Sequence, residues 1–398
     1  MTPGGRRGGG RPTLEEVAAR AGVGRGTASR VINGSPRVSE RTRTLVQQAV
    51  ADLGYVPDRA ARALAGRRAD TVALVVPEAE TRLFAEPYFS GIIRGVSAGL
   101  ADHDMQLLLT LIRTSKERRR FADYLAAHRV DGVLLVSVHG DDPLPDLLER
   151  MAIPTVLSGR RSAGETVPFV DSDNTGGAQS ALEHLIGRGR RQVATIAGPP
   201  DMYAAHCRLD GYRRAVRAAG HPEDAALVAH GDFTEEGGRR AMRELLARRP
   251  ALDAVFCASD VMAAGARQEL RAAGRRIPDD VALVGFDDSA IARHMDPALT
   301  SVRQPIEEMG RAMARLLMAQ ITGGAGTETI EGTGGRSISS GSANSRSASS
   351  GSTSRRSTSR RSTSSESASG GVPGPRAAAP PSGAHLVLPT ELVRRASS

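Results

Sequence analysis

Near the start of this chain, Arg25, Thr27, Ser29 and Arg30 bring the side chains that read nucleic acid into one short segment. An arginine fork can bond both acceptors on a guanine edge, and hydroxyls can bond phosphates or bases. A second set lies far downstream: Arg208, Phe233, Ser259-Asp260 and Asp287-Asp288. Carboxylates and guanidinium groups hold ligand hydroxyls in fixed directions, and an aromatic face covers the C–H side of a sugar ring. Each of these has a plainer alternative. Asp260 and Asp288 could cap helices, Arg208 could sit in a surface ion pair, and Phe233 could be core. Nowhere does a nucleophile pair with a base, and Cys207 and Cys257 stand in no metal-binding spacing. No catalysis, metal or cofactor is therefore expected.

The first set needs a helix to present it, and the local signals supply one. Thr13 followed by Glu16 fits a capping box that opens a helix, with Leu14, Val17, Ala18 and Ala21 on its apolar face. Gly22 suits a tight turn, with Val23 plugging the angle between two helices. A second short helix is expected from about Arg25 to Asn33, ended by Asn33-Gly34. A third is expected from Ser39 to Gly54, burying Leu45, Val46, Ala49, Val50 and Leu53. Three short helices with a glycine turn between the first two make a helix-turn-helix unit. A three-helix bundle with a solvated basic face would share this pattern. Beyond it, Tyr55–Asp58 reads as extended, and a helix of about two turns runs from Arg59 to Gly66. A helix shorter than about 12–15 residues is marginal alone in water and needs a partner.

Charge is distributed accordingly. Residues 1–70 carry 13 arginines against 6 acidic residues, whereas residues 71–322 carry 31 basic against 34 acidic. The net charge of +9 thus gathers at the N-terminal end and in a late segment. A basic end on a near-neutral body points to nucleic acid as the partner of that end, although a solvated basic tail would look the same.

The run Thr13-Leu14, Val17-Ala18, Ala21-Gly22-Val23, Thr27, Ser29 to Asn33, then Gly54-Tyr55-Val56-Pro57 and Ala63-Leu64-Ala65-Gly66, resembles the headpiece of the lactose/galactose repressor (LacI/GalR) family. The resemblance implies that Arg25 and Gly26 open a recognition helix in the major groove, with Thr27, Ser29 and Arg30 beside them. Thr13, Asn33, Ser39 and Arg59 complete the implied DNA contacts. It also implies that the short helix pairs with its dimer mate in the minor groove, Leu64 acting as a wedge between base pairs. Gly24 departs from the family, where a serine is usual, and Gly26 offers no side chain.

From Thr71 onward, short apolar runs alternate with amphipathic stretches. Strands are expected at Val72–Val76, Gln106–Leu111, Gly132–Ser137, Thr155–Leu157, Val193–Ala197, Ala254–Ala258 and Val281–Val284. Such alternation indicates parallel sheets covered on both faces, here as two similar halves with a cleft between them. No phosphate-loop or dinucleotide fingerprint is present. The family resemblance extends through Val170–Asn174, Arg208–Tyr212, Ala258–Asp260 and Val284–Asp288, and implies a periplasmic-binding-protein-like core of two parallel-sheet subdomains. It places Arg208, Phe233, Ser259, Asp287 and Gln304 on effector-contacting positions, with the Phe84–Tyr88 loop closing the pocket. Ser259 stands where the family often has Asn, and Gly159 where it often has Asp.

Residues 323–385 are rich in Ser, Gly, Arg and Thr, a composition that cannot bury a core. The expected organisation is a disordered arm over 1–11, a helix-turn-helix domain over 12–57, a hinge helix and linker over 58–70, a core over 71–322, a disordered insertion over 323–385, and the final core strand in 386–398. The expected protein is a homodimeric repressor of double-stranded operator DNA, controlled by a small effector. A sugar is the first expectation, a nucleoside or purine the second. A sugar-binding transport receptor shares the core but has no headpiece. No run reaches the roughly 20 apolar residues of a membrane span, so the cytoplasm is the expected compartment.

Overall fold

The computed structural model describes residues 12–32, 35, 37–55, 68–323 and 385–398. Asn33, Arg59 and Leu64 lie outside the described residues, as do the expected arm and nearly all of the hinge helix and late insertion.

The N-terminal unit has helices α1 (Leu14–Ala21), α2 (Arg25–Ile32) and α3 (Glu40–Leu53). The capping box forms: the Thr13 N–H donates to Glu16 at 2.8 Å, and the Glu16 N–H donates to the Thr13 hydroxyl at 3.3 Å. Gly22 closes α1 at a φ of 66°, and the Val23 N–H returns to the Ala18 carbonyl at 3.0 Å. That left-handed cap aims the chain into α2. Val17, Ala18, Ala28, Val31, Val46 and Ala49 form the buried centre. Leu45, expected inside, is 48% exposed. Its neighbour Val46 takes the inward position, and successive residues point about 100° apart on a helix.

The core begins with β1 (Thr71–Val76), α4 (Glu80–Ala85), α5 (Pro87–Leu100), β2 (Gln106–Leu111), α6 (Ser115–Ala126), β3 (Gly132–Leu135), α7 (Leu144–Arg150), β4 (Thr155–Ser158) and β5 (Phe169–Ser172). It continues with α8 (Asn174–Gly187), β6 (Val193–Ala197), α9 (Tyr203–Ala218), β7 (Val228–His230), α10 (Glu235–Arg248), β8 (Ala254–Cys257), α11 (Asp260–Ala272), β9 (Ala282–Asp287), α12 (Ala290–His294) and β10 (Thr300–Arg303). It closes with α13 (Ile306–Thr322), β11 (His385–Leu388) and β12 (Glu391–Val393). Among the described residues the strands form two six-stranded sheets, in the orders β11-β5-β4-β3-β1-β2 and β12-β10-β9-β8-β6-β7. All pairs are parallel except β10 with β12.

Both faces of each sheet are covered. In β1, Val72, Leu74 and Val76 pack with α5 and α13, while Ala73 and Val75 pack with α6 and α7. That is why these strands read as unbroken apolar runs. β5 and β10 escape such a reading because they carry Asp171, Ser172, Thr300 and Ser301. All four are buried and hydrogen-bonded: the Ser172 hydroxyl donates to the Gln304 side chain at 2.6 Å, and that of Ser301 to Asp260 at 2.6 Å.

The expected single closing strand over 386–398 is instead two strands in different sheets. β11 pairs with β5, and β12 pairs with β10. Pro389, between them, has no N–H to continue a ladder. The described chain therefore crosses between the subdomains at β5 to α8, at β10 to α13, and at β11 to β12. The crossings are tied together, since the Asp173 N–H donates to the Leu388 carbonyl at 2.8 Å.

A helix-turn-helix face and an interdomain cleft

Arg25 opens α2 with its guanidinium exposed and 2.9 Å from the Glu15 carboxylate. An exposed pair of this kind contributes little stability and yields readily to another anion. The Arg30 Nε donates to the Gly26 carbonyl at 3.1 Å, which aligns that side chain along the helix. Thr27 and Ser29 are half-buried on the same helix, and Gly26 is exposed. Gly24 has no side chain for a cap, and its carbonyl accepts from Thr27 N–H at 2.8 Å and Ala28 N–H at 3.1 Å. Thr13 and Ser39 are the N-caps of α1 and α3, so their hydroxyls are held at helix starts, where backbone N–H groups suit phosphate oxygens.

The second set converges. Tyr88, Arg208, Phe233, Ser259, Asp287 and Gln304 all line one cleft between the subdomains, enclosing about 770 Å³ with its mouth included. The cleft opens at the carboxyl ends of the strands, where ligands bind in open parallel sheets. Phe84 is not brought in. It is 82% exposed on α4, because Leu83 turns into the core and Arg82 is held by Glu78 and Glu86 on its two sides.

Arg208 is buried rather than paired at the surface. Its Nε donates to Asn174 at 2.8 Å and its Nη1 to the Ala258 carbonyl at 2.5 Å, with Asp287 at 3.8 Å. Its Cζ lies 3.9 Å from the centre of the Phe286 ring. Of five guanidinium donors, these bonds use two, which leaves donors for ligand hydroxyls. The Asp287 carboxylate accepts from Gln304 at 2.7 Å, and Gln304 is tied in turn to Ser172. Phe233 belongs to both alternatives, packing in the core while lining the cleft. Its φ of 66°, and that of 112° at Asp287, are left-handed for residues with side chains. Backbone of this kind persists where surrounding structure overrides it, and it gathers at binding sites.

The caps fall differently from expectation. Ser259 caps α11, accepting from Met262 N–H at 3.2 Å, so Asp260 is the first helical residue. Asp260 is fully buried beneath the cleft and accepts from Ser289 N–H at 2.7 Å. Asp288 is no cap: it is buried between Arg303 at 2.8 Å and Arg395 at 2.5 Å. The charged lining residues Arg82, Glu86, Arg160 and Asp171, with Asn174, lay outside the sequence-derived set. The Glu78, Arg82, Glu86 spacing, four residues apart, was a legible signal of an ordered cluster.

Burial raises the Asp260 carboxyl to about 8, reinforced by the Asp287 charge. Burial raises Asp287 to about 6, opposed by Arg208. Both groups favour their neutral forms in the fold. Their contribution to stability is complete below the ordinary value of 3.8 and is lost as pH rises through about 6 and then about 8. Asp260→Asn should therefore flatten the fall in melting temperature between about pH 5 and pH 8. Thermal denaturation of both proteins across that range checks this, and parallel profiles would contradict it.

A helix-turn-helix unit ahead of two hinged sheet lobes around a polar cleft defines a ligand-responsive DNA-binding regulator. Residues 13–58 match the family model described as bacterial regulatory proteins, lacI family, and residues 182–333 match the periplasmic binding protein-like domain. The chain is 56% identical over 79% of its length to the HTH-type transcriptional regulator CelR of Thermobifida fusca, covering 93% of that protein. It is 33% identical over 80% of its length to the transcriptional repressor CytR of Escherichia coli, again covering 93% of that protein. A solved complex of CelR with cellobiose aligns over 98% of this chain and 100% of that one, at a TM-score of 0.67 and 46% identity. The lac repressor dimer bound to operator and an anti-inducer shares the fold at a TM-score of 0.74 and 22% identity, over 98% and 99% of the two chains. The chain belongs to the lacI family of bacterial transcriptional regulators.

Proposed function

We propose that the protein is a dimeric repressor that reads a pseudo-palindromic operator through α2 and is released from it by a sugar held in the cleft. One observation carries the effector half of this reading: the buried Arg208 and the half-buried Asp287 open onto a cavity whose polar lining comes from both subdomains. A ligand there touches both lobes, so it can favour one relative orientation and shift the population of the DNA-binding state. Cellobiose is the first candidate, because the related CelR was solved with it. Arg25, Gly26, Thr27, Ser29 and Arg30 are the proposed operator contacts, with Thr13 and Ser39 at the backbone. Tyr88, Arg208, Phe233, Ser259, Asp287 and Gln304 are the proposed effector contacts. In this reading the cleft binds its ligand without transforming it, and the protein acts in the cytoplasm.

The test is a gel shift with a fragment from upstream of the gene and of its neighbours. Arg25→Ala should weaken specific binding by about 10-fold or more, the scale of one lost base-reading pair. Cellobiose should release the wild-type complex, whereas ribose and adenosine should not. Equal binding by Arg25→Ala would remove that residue from operator reading. Release by adenosine alone would replace the sugar with a nucleoside.

A further inference from the structure

The three crossovers stand at one side of the molecule, where β5, β11, β10 and β12 occupy neighbouring or edge positions in their sheets. β3 and β6 lie deeper toward the opposite edges, and the loops leaving their carboxyl ends meet across the cleft. The Gly140 N–H of the first subdomain donates to the Asp201 carbonyl of the second at 2.8 Å. Beside it, His139 Nδ1 lies 2.7 Å from the Asp201 carboxylate, and His139 Nε2 lies 3.1 Å from Glu78. Glu78 also accepts from the Ser137 hydroxyl at 2.6 Å and from Arg82 at 2.5 Å. Neither His139 nor Asp201 lines the cavity, but their chain neighbours Val138 and Met202 do.

We propose that His139 and Asp201 are positioning residues that latch the cleft shut on the side away from the crossovers, and that the latch holds only while His139 is protonated. A neutral imidazole has one N–H and can donate to one of its two carboxylate neighbours. The imidazolium donates to both at once and carries the charge that both attract. Glu78 and His139 belong to the same subdomain and Asp201 to the other, so Asp201 is the partner whose contact depends on closure. The surroundings favour the charged form: hydrogen bonding to Glu78 and then to Asp201 outweighs burial and raises His139 to about 9. The closed cleft therefore keeps its latch at neutral pH and loses it as pH rises through that value.

The role in ligand retention rests on the effector reading above, whereas the latch itself can be tested without ligand. The Gly140 amide bonds across the cleft to a backbone carbonyl that no side-chain substitution removes, so its hydrogen exchange reports closure directly. In the full-length protein, Asp201→Ala should lower Gly140 protection about 10-fold at pH 7, and His139→Gln should do the same. Asp201 is half-exposed, so its replacement leaves the folded core intact. Wild-type protection, corrected for intrinsic exchange, should fall toward the Asp201→Ala level at about pH 10. Wild-type protection in both variants would overturn the latch, and protection unchanged at high pH would overturn its dependence on the proton. With cellobiose as probe, Asp201→Ala should dissociate several-fold faster. An unchanged rate alongside lost protection would overturn the positioning role. If cellobiose does not bind the wild-type protein, the effector reading fails while the exchange experiment still judges the latch.

Discussion

Arg208→Ala is expected to give a protein that binds operator normally and no longer responds to effector. The guanidinium does two things at once. It supplies donors to the cleft, and it balances Asp287, whose carboxylate is largely shielded from solvent. Truncation removes the donors and leaves Asp287 without its cation. Breaking a buried charge pair by deleting one partner costs about 3–5 kcal/mol of folding stability, and each lost hydrogen bond from the charged group to a ligand hydroxyl costs about 1.5–3 kcal/mol of affinity, about 10- to 100-fold. Part of the folding cost will be met by Asp287 taking up a proton, which burial already favours. Calorimetry with cellobiose and operator titration with and without it would separate the two outcomes. Operator release by the variant at wild-type sugar concentrations would remove Arg208 from the site. Arg208→Lys should recover little, since an ammonium cannot reproduce the fork that reaches Asn174 and the Ala258 carbonyl together.

Gly95→Val should strike stability instead, and through a place with no polar chemistry. α5 and α13 cross at Gly95 and Gly310, so closely that a Cβ on Gly95 would lie 2.1 Å from the Glu307 carbonyl oxygen. A Cβ on Gly310 would lie 2.6 Å from the Ile92 carbonyl oxygen. The obstacles are backbone atoms on both sides and cannot rotate away. Overpacking a close-packed contact costs about 1–3 kcal/mol and occasionally more, and the rigid partners put this case at the upper end. α13 is also the helix by which the chain re-enters the first subdomain from β10, so displacing it disturbs the crossover next to Gln304. The expected result is a melting temperature lower by several degrees and a weakened effector response. Thermal denaturation beside Gly24→Ala, whose Cβ would meet nothing within 4 Å, provides the comparison. Equal melting of the two variants would refute the packing argument.

Local chemistry made the headpiece legible. Thr13 and Glu16 form a capping box within one turn, Gly22 takes the positive φ, and Val23 follows it into the core edge. Each of these is settled by residues a few positions apart, so the sequence alone determines the three helices. It also determined the class of the core, because strands covered on both faces read as apolar runs wherever no buried polar group is paired within them. Arg208, Phe233, Asp287 and Gln304 were recognisable one by one as candidates through the family pattern.

What brought them together was long-range. Gln304 reaches Asp287 and Ser172, and Arg208 reaches Asn174 and Ala258, only because the crossovers place these loops at one cleft. The split of the closing strand between two sheets depends on partners, β5 and β10, whose buried polar residues make sense only once Gln304 and Asp260 are seen beside them. Phe84 and Leu45 went the other way: apolar side chains whose exposure was decided by which neighbour on the same helix turned inward. The meeting of His139 with Asp201 has no local signature either. Sequence periodicity encodes what each segment buries, whereas the pairing of distant polar groups depends on how the segments are stacked. In this protein that stacking made a cleft out of residues that, taken separately, could each have been a cap, an ion pair or core.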